Sequence, residues 1–142
     1  MLELLRKNNE TGLRRRTKPT VFNEIILDHF EHPRNAGELV PPAHMIETSN
    51  PVCGDILRVW LLANAGYIDD IRFKARGCVA AIACGSMLTE MVMGKTLEEA
   101  ALLSAKEISG ALGGLPPESG HAAELAEQAL KIALRVAGSQ RG

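Results

Sequence analysis

The sequence predicts an α+β domain in which a small antiparallel sheet packs against several helices. Two observations carry this prediction. Residues 55–63 and 68–75 show the two-residue alternation of side chains that is typical of strands. The second half of the chain is rich in Ala, Leu and Met at helical spacing. Strands followed by helices within 142 residues favour one domain of the α+β class.

The first predicted element is a helix. Its apolar face consists of Phe22, Ile25, Ile26, His29 and Phe30, which follow the three- and four-residue spacing of a helix. Pro33 ends this helix because proline has no backbone N–H to donate. Residues 33–43 hold two further prolines and are predicted to form a loop.

Three strands are expected next. Residues 44–49 form a short strand, and residues 55–63 form a longer one. Asn64-Ala65-Gly66 supplies the turn to a partner strand over residues 68–75, where Ile71 and Phe73 share one face. Short turns between consecutive strands indicate an antiparallel meander.

Helices fill the rest of the chain. Residues 79–93 lack proline, and Gly94 ends that helix. Residues 122–137 form a last amphipathic helix. Between these two helices, two capping boxes each open a short helix. They consist of Thr96 with Glu99 and of Ser104 with Glu107.

Charge and composition exclude several classes of protein. Hydrophobic residues make up 46% and the net charge is −1, so the chain is neither disordered nor a basic nucleic-acid binder. Residues 1–18 hold six basic and two acidic residues, a balance of +4, and we expect a flexible arm there that precedes a domain over residues 19–138. No segment has the pattern of a membrane span, a secretory signal or a transit peptide. We therefore expect a cytoplasmic protein with no membrane or nucleic-acid partner.

The cysteines are candidates for chemistry. The chain has three cysteines, Cys53, Cys78 and Cys84. Because this number is odd, a disulfide framework is not expected. Cys53 and Asp55 flank a glycine, and a bend there would turn thiol and carboxylate toward one metal ion. The alternative is a thiol and a surface acid beside a turn.

Cys78 stands where a strand passes into a helix, and the free N–H groups of a helix N-terminus lower a thiol's pKa. The alternative for Cys78 is a small residue packed at a crowded turn. Cys84 lies six positions further on and therefore on another face, which favours a buried packing role. His121 opens the last helix and is either a metal ligand or a surface residue.

Taken together, these segments resemble the scaffold family of iron–sulfur cluster assembly, of the IscU/NifU N-terminal type. The resemblance extends from about residue 21 to 137 and keeps the order of the family's motifs. The matching segments are residues 26–35, Cys53-Gly54-Asp55, residues 73–78, 81–83, 86–90 and 94–100, Leu115-Pro116-Pro117 and His121. The resemblance implies a three-stranded antiparallel sheet packed against several helices.

The resemblance also implies a function and a site. The protein would be a scaffold or carrier, not an enzyme, that takes sulfur from a cysteine desulfurase and binds iron or a labile [2Fe–2S] cluster for transfer to apo-proteins. Cys53, Asp55 and Cys78 match three ligand positions of the family, and His121 would complete the set. Zinc suits the same mixed set of donors. The family's third cysteine is replaced here by Ala122, and fewer thiolates should weaken the hold on a cluster.

These departures from the family pattern leave two alternative functions open and bear on two possible partners. One alternative is a zinc-bound sulfur-relay protein that modulates a desulfurase, and the other is an interaction module of the same fold without metal. Leu115-Pro116-Pro117 continues into Glu118-Ser119-Gly120 rather than a basic segment, so we do not expect the family's dedicated chaperone as a partner. A cluster that bridges two subunits would supply further thiolates and make the loaded protein a homodimer.

Overall fold

The computed structural model of the chain describes residues 22–139, so the predicted basic arm over residues 1–18 lies outside the described residues. Three strands and five α-helices follow one another within this range. They are α1 (Glu24–Glu31), β1 (His44–Ser49), β2 (Ile56–Asn64), β3 (Tyr67–Arg76), α2 (Val79–Val92), α3 (Leu97–Ala100), α4 (Ala105–Ala111) and α5 (Gly120–Ser139). A single turn of 3₁₀ helix, Pro117–Ser119, leads into α5.

The three strands form one antiparallel sheet in the order β1-β2-β3, as the sequence predicts. Asn64 pairs with Tyr67 across a hairpin whose two loop residues, Ala65 and Gly66, both have positive φ. Two consecutive residues with positive φ match the right-handed twist of the strands they connect, and this conformation favours glycine. The predicted antiparallel meander is therefore confirmed.

One face of the sheet carries the hydrophobic core. Leu57, Val59 and Leu61 of β2 are buried there, and so are Ile71 and Phe73 of β3. Helices α2 and α5 pack against the sheet. The sheet and helices approach closely at Gly85, where an added Cβ would lie 2.6 Å from the Phe73 ring.

The loop that connects α1 to β1 starts beside one edge of the sheet and ends at the other edge. Ala36 bridges to Phe73 at the β3 edge, whereas His44 pairs with Leu61 at the other edge. Trp60 alternates with Val59 and Leu61 along β2, so its side chain points away from the core face, and it is nevertheless only 7% exposed.

Helix α1 contacts α2 through a polar cluster that we call the Ser86 network. His29 Nδ1 lies 2.7 Å from Ser86 Oγ, which also accepts a hydrogen bond from the backbone N–H of Arg34 at 2.9 Å. Thr89 Oγ1 accepts a hydrogen bond from Asn35 Nδ2 at 3.1 Å. His29, Ser86 and Thr89 are each at most 4% exposed. The network therefore pairs buried polar groups with one another and fastens the start of the loop to α2.

Helix boundaries agree closely with the sequence prediction. Both capping boxes are present, with Thr96 bonded to Glu99 and Ser104 bonded to Glu107. Helix α5 begins at Gly120, two residues before the predicted start. None of the helices within residues 22–139 combines the length and the apolar character needed to cross a membrane.

Candidate functional site

The candidate site lies at the end of the sheet where β1 passes into β2 and β3 passes into α2. The β1–β2 loop is organised by Asn50, whose backbone carbonyl accepts from Gly54 N–H at 2.7 Å and whose side-chain oxygen accepts from Val52 N–H at 2.9 Å. The Asn50 N–H donates to the backbone carbonyl of Asp55 at 2.9 Å. These bonds close a tight loop that carries Cys53 near its tip.

Asp55 and Cys78 are in direct contact. Asp55 Oδ1 accepts a hydrogen bond from the backbone N–H of Cys78 at 3.3 Å, and Asp55 Oδ2 accepts one from the Cys78 thiol at 3.4 Å. The carboxyl group is buried, since Asp55 is only 5% exposed. The contact joins the start of β2 to the N-terminus of α2, so both residues sit in defined positions.

Gly77 makes this contact geometrically feasible. Its φ of +149° is a conformation that residues with a side chain rarely adopt. A Cβ placed at Gly77 would lie 2.2 Å from Asp55 Oδ1, inside the contact distance of the two atoms. The glycine therefore leaves the space that the Asp55 carboxyl group occupies beside Cys78.

The electrostatic prediction for Cys78 was wrong. Burial raises the pKa of the Cys78 thiol, and its hydrogen bond to the Asp55 carboxyl group raises it further. The backbone N–H groups of Ala80 and Ala81 oppose this effect, as expected at the first turn of a helix, but they do not overcome it. Without a bound ligand, the Asp55 contact therefore favours the protonated thiol.

Cys53 is exposed on the loop that Asn50 organises. The following residue, Gly54, has a φ of +78°, which bends the chain between Cys53 and Asp55. The predicted bend at the glycine is present. The loop offers the Cys53 thiol to solvent, whereas the Asp55 carboxyl group two residues later is buried.

His121 lies near the base of the same loop. Its side chain is 58% exposed, and its Nδ1 atom lies 3.8 Å from Glu124 Oε1, one helical turn further along α5. A cavity of about 260 Å³ separates this part of α5 from the loop. The cavity is lined by Ser49, Asn50, Pro51, His121, Glu124, Leu125 and Gln128.

Cys84 and Ala122 do not reach this site. Cys84 is fully buried within α2, as its helical position predicts, and burial followed by the charge of Cys78 raises the pKa of its thiol to about 12. Ala122 is 4% exposed and packs in the hydrophobic core. The accessible thiols of the chain are therefore Cys53 and Cys78.

The structure brings only part of the predicted set of site residues together. Asp55 and Cys78 are in contact, Cys53 follows on the adjoining loop, and His121 borders the base of that loop. Among residues 22–139, no three His, Cys, Asp or Glu side chains stand close enough to hold one metal ion. The four residues are neighbours on one end of the molecule, but they do not form a closed coordination sphere.

Sequence reasoning missed three residues of this region. Asn50 organises the Cys53 loop and Gly77 makes room for Asp55, although neither carries a reactive group. Glu124 stands beside His121. The three-residue spacing of His121 and Glu124 at a helix start could have revealed their proximity.

The family comparison covers almost all of the described chain. The sequence pattern of the NifU-like N-terminal domain matches residues 21–138. This range contains every candidate site residue and every element of the fold except the last residue of α5.

Similar curated proteins are named as scaffolds. The chain is 43% identical over 116 residues to the iron–sulfur cluster assembly scaffold protein IscU of Aquifex aeolicus, which covers 80% of this chain and 74% of that protein. It is 40% identical over 118 residues to the protein of the same name from Azotobacter vinelandii, which covers 80% of this chain and 91% of that one.

A solved structure has the same fold. It belongs to a candidate iron–sulfur cluster assembly scaffold protein for the SUF system of Fervidobacterium islandicum. The two structures agree with a TM-score of 0.68 over 80% of this chain and 96% of the other, at 24% sequence identity. At this level of identity the match supports the arrangement of strands and helices.

Proposed function

The chain belongs to the NifU-like N-terminal domain family, and on that premise we propose that it is a scaffold on which an iron–sulfur cluster is assembled and from which it is transferred. The observation that carries the proposal is the pair of exposed thiols at one end of the sheet, Cys53 and Cys78, with the Asp55 carboxyl group in contact with one of them. The relatives named as scaffolds support the same role. The cluster is cargo of the protein rather than a resident cofactor.

Cys53 and Cys78 are the thiolate ligands in this proposal. Thiolates are the usual protein ligands of iron–sulfur clusters, and mixed thiolate and imidazole ligation also occurs. Asp55 and His121 supply the remaining oxygen and nitrogen donors. Because these donors are not gathered around one point, the Cys53 loop and His121 must move toward the Asp55–Cys78 contact when iron binds.

Asp55 gives the site its lability. When its carboxyl group accepts from the Cys78 thiol, it stabilises the protonated form, which is a poorer ligand than the thiolate. Iron must displace that proton to bind Cys78, and a returning proton favours release. The same contact that positions Cys78 therefore opposes permanent binding.

Sulfur would come from a cysteine desulfurase. A thiolate of Cys53 or Cys78 attacks the outer sulfur of the enzyme's persulfide, which forms a new persulfide on the scaffold and releases the enzyme's own thiolate. Cys53 is suited to the first encounter because it is exposed near the tip of a loop. Apo-proteins that require a cluster would receive it afterwards.

Anaerobic reconstitution with ferrous iron and sulfide tests the proposal. The wild-type chain should develop a visible chromophore with matched iron and sulfide content. Cys53→Ala and Cys78→Ala should each lose it, because each removes one of two accessible thiolates. Cys84→Ala is the matched control and should keep the chromophore, because Cys84 is fully buried.

The alternatives predict different metal contents. Retention of the full cluster in either the Cys53 or the Cys78 variant would contradict the assignment of ligands. Zinc near one per chain without any cluster would favour a sulfur-relay role. No bound metal of either kind would indicate an interaction module that keeps the fold without the cluster chemistry.

A further inference from the structure

We propose that His121 and Glu124 form a loading site for divalent iron beside the cysteines, a role that rests on the proposed scaffold function. The two side chains lie one turn apart on α5 and face each other, with His121 Nδ1 and Glu124 Oε1 separated by 3.8 Å. Two ligands that are each about 2.1 Å from one metal ion lie at most about 4.2 Å apart. A divalent ion can therefore bind both side chains after a small adjustment.

The chemistry of the pair suits ferrous iron. Imidazole and carboxylate are the ligand types of many non-haem iron(II) sites, which keep further positions open for water or substrate. Glu124 supplies the negative charge, and this matters because α5 begins at Gly120 and a helix N-terminus carries a partial positive charge. His121 alone would meet an unfavourable field for a cation.

The surroundings leave room for a hydrated ion. The cavity that His121 and Glu124 share with the β1–β2 loop has a volume of about 260 Å³. Since one water molecule needs about 10–15 Å³ of such volume, the cavity has room for an ion together with several of its water ligands. Ser49 and Gln128 line the same cavity and offer further side-chain oxygens.

Exposure and position explain why this is a loading site and not a permanent one. The His121 and Glu124 side chains are 58% and 73% exposed, so an ion from solvent reaches them without any opening of the fold. Two protein ligands in contact with water hold an ion weakly. The cavity is bounded by Ser49, Asn50 and Pro51, the residues that lead directly to Cys53. Iron held there is therefore close to the loop that bears the first proposed thiolate.

The test separates this site from the thiolates. In the full chain with Cys53→Ser and Cys78→Ser, binding of Mn²⁺ is measured by electron paramagnetic resonance, because Mn²⁺ shares the preference for oxygen and imidazole ligands and gives a signal when free. We expect weak binding of one Mn²⁺ per chain. Glu124→Gln should weaken it at least tenfold, and His121→Ala should remove the nitrogen coupling from the bound signal. Glu31→Gln on α1 is the control for loss of one exposed charge and should leave binding unchanged.

The outcomes distinguish this inference from the scaffold proposal. Equal Mn²⁺ binding by the Glu124→Gln variant, or no binding by the chain with Cys53→Ser and Cys78→Ser, overturns the loading site. With the cysteines intact, Glu124→Gln should slow cluster formation at limiting iron and reach the wild-type cluster content at excess iron. If the wild-type chain forms no cluster while the chain with Cys53→Ser and Cys78→Ser binds Mn²⁺ through Glu124, the scaffold proposal fails and the metal site stands.

Discussion

Helix α2 carries one polar cluster at its N-terminus and another, the Ser86 network, from its middle onward, and the two clusters differ in how completely their groups are paired. In the Ser86 network, His29, Ser86 and Thr89 are buried and bonded to protein partners. At the N-terminus of α2, Cys78 contacts Asp55, whereas Cys53 and His121 are exposed. Paired and buried polar groups stabilise the fold, and donors left facing solvent remain available for a ligand. On the proposed function, the N-terminus of α2 serves binding, whereas the Ser86 network in the middle of the helix serves stability.

The largest expected effect on stability comes from Ser86→Ala. This change leaves His29 Nδ1 and the Arg34 N–H without their shared partner in a buried region. An unsatisfied buried polar group costs about 1–3 kcal/mol, so the free energy of unfolding should fall by at least that amount. Urea unfolding of the metal-free protein measures it.

Ser49→Ala is the matched control for the same chemical change, because Ser49 is exposed at the end of β1. Its effect should stay within about 0.5 kcal/mol. Equal effects of the two serine variants would show that the Ser86 network contributes nothing particular to stability.

A smaller effect is expected from pH. Burial lowers the pKa of His29 below its ordinary value of 6.5, and the nearby Arg34 guanidinium lowers it further, while Glu90 and Asp28 oppose the shift. The unfolded chain therefore binds a proton at His29 before the folded chain does. The contribution of His29 is fully present above pH 6.5 and is lost as the pH falls below that value. The free energy of unfolding should therefore decrease between about pH 7 and pH 5, which is the range in which histidine titrates.

His29→Gln identifies the group responsible for that slope. The variant should be less stable at neutral pH and should show a flatter dependence of unfolding free energy on pH. A slope that is unchanged by His29→Gln would assign the pH dependence to other groups.

The smallest expected effect on stability, but a clear one on reactivity, comes from Asp55→Asn. Asparagine keeps the size and the acceptor for the Cys78 N–H but removes the negative charge. The pKa of the Cys78 thiol should fall, because a cause that raises it has been removed. The pH dependence of alkylation in a Cys53→Ser background measures this pKa, since Cys84 is buried. An unchanged or higher pKa would contradict the role given to the Asp55 carboxyl group.

The fold was largely predictable because its signals are local. Residues close in sequence determine three features of the fold. These are the strand alternation in β2 and β3, the turn with positive φ at Ala65 and Gly66, and the two capping boxes. Burial of Trp60 was not predictable in the same way. Its side chain points away from the core face of β2 and is nevertheless 7% exposed, so its burial depends on contacts that the alternation within β2 does not encode.

The sequence indicated which residues form the candidate site better than it indicated how those residues are arranged. The motif resemblance selected Cys53, Asp55, Cys78 and His121, whose ligand roles remain proposals. The helix N-terminus predicted a lowered pKa for Cys78, but burial raises that pKa, and a carboxyl group brought from the start of β2 raises it further. That contact joins residues 23 positions apart, so only the folded chain reveals it.

The most direct test of the division between the N-terminus of α2 and the Ser86 network compares stability and cluster content in one sample of Cys78→Ser. Serine keeps a donor for Asp55 but is not a thiolate. We predict a free energy of unfolding within about 0.5 kcal/mol of the wild type in the metal-free state, together with loss of the iron–sulfur chromophore after reconstitution. A Cys78→Ser protein that unfolds as readily as Ser86→Ala, or that retains its full cluster content, would contradict the account.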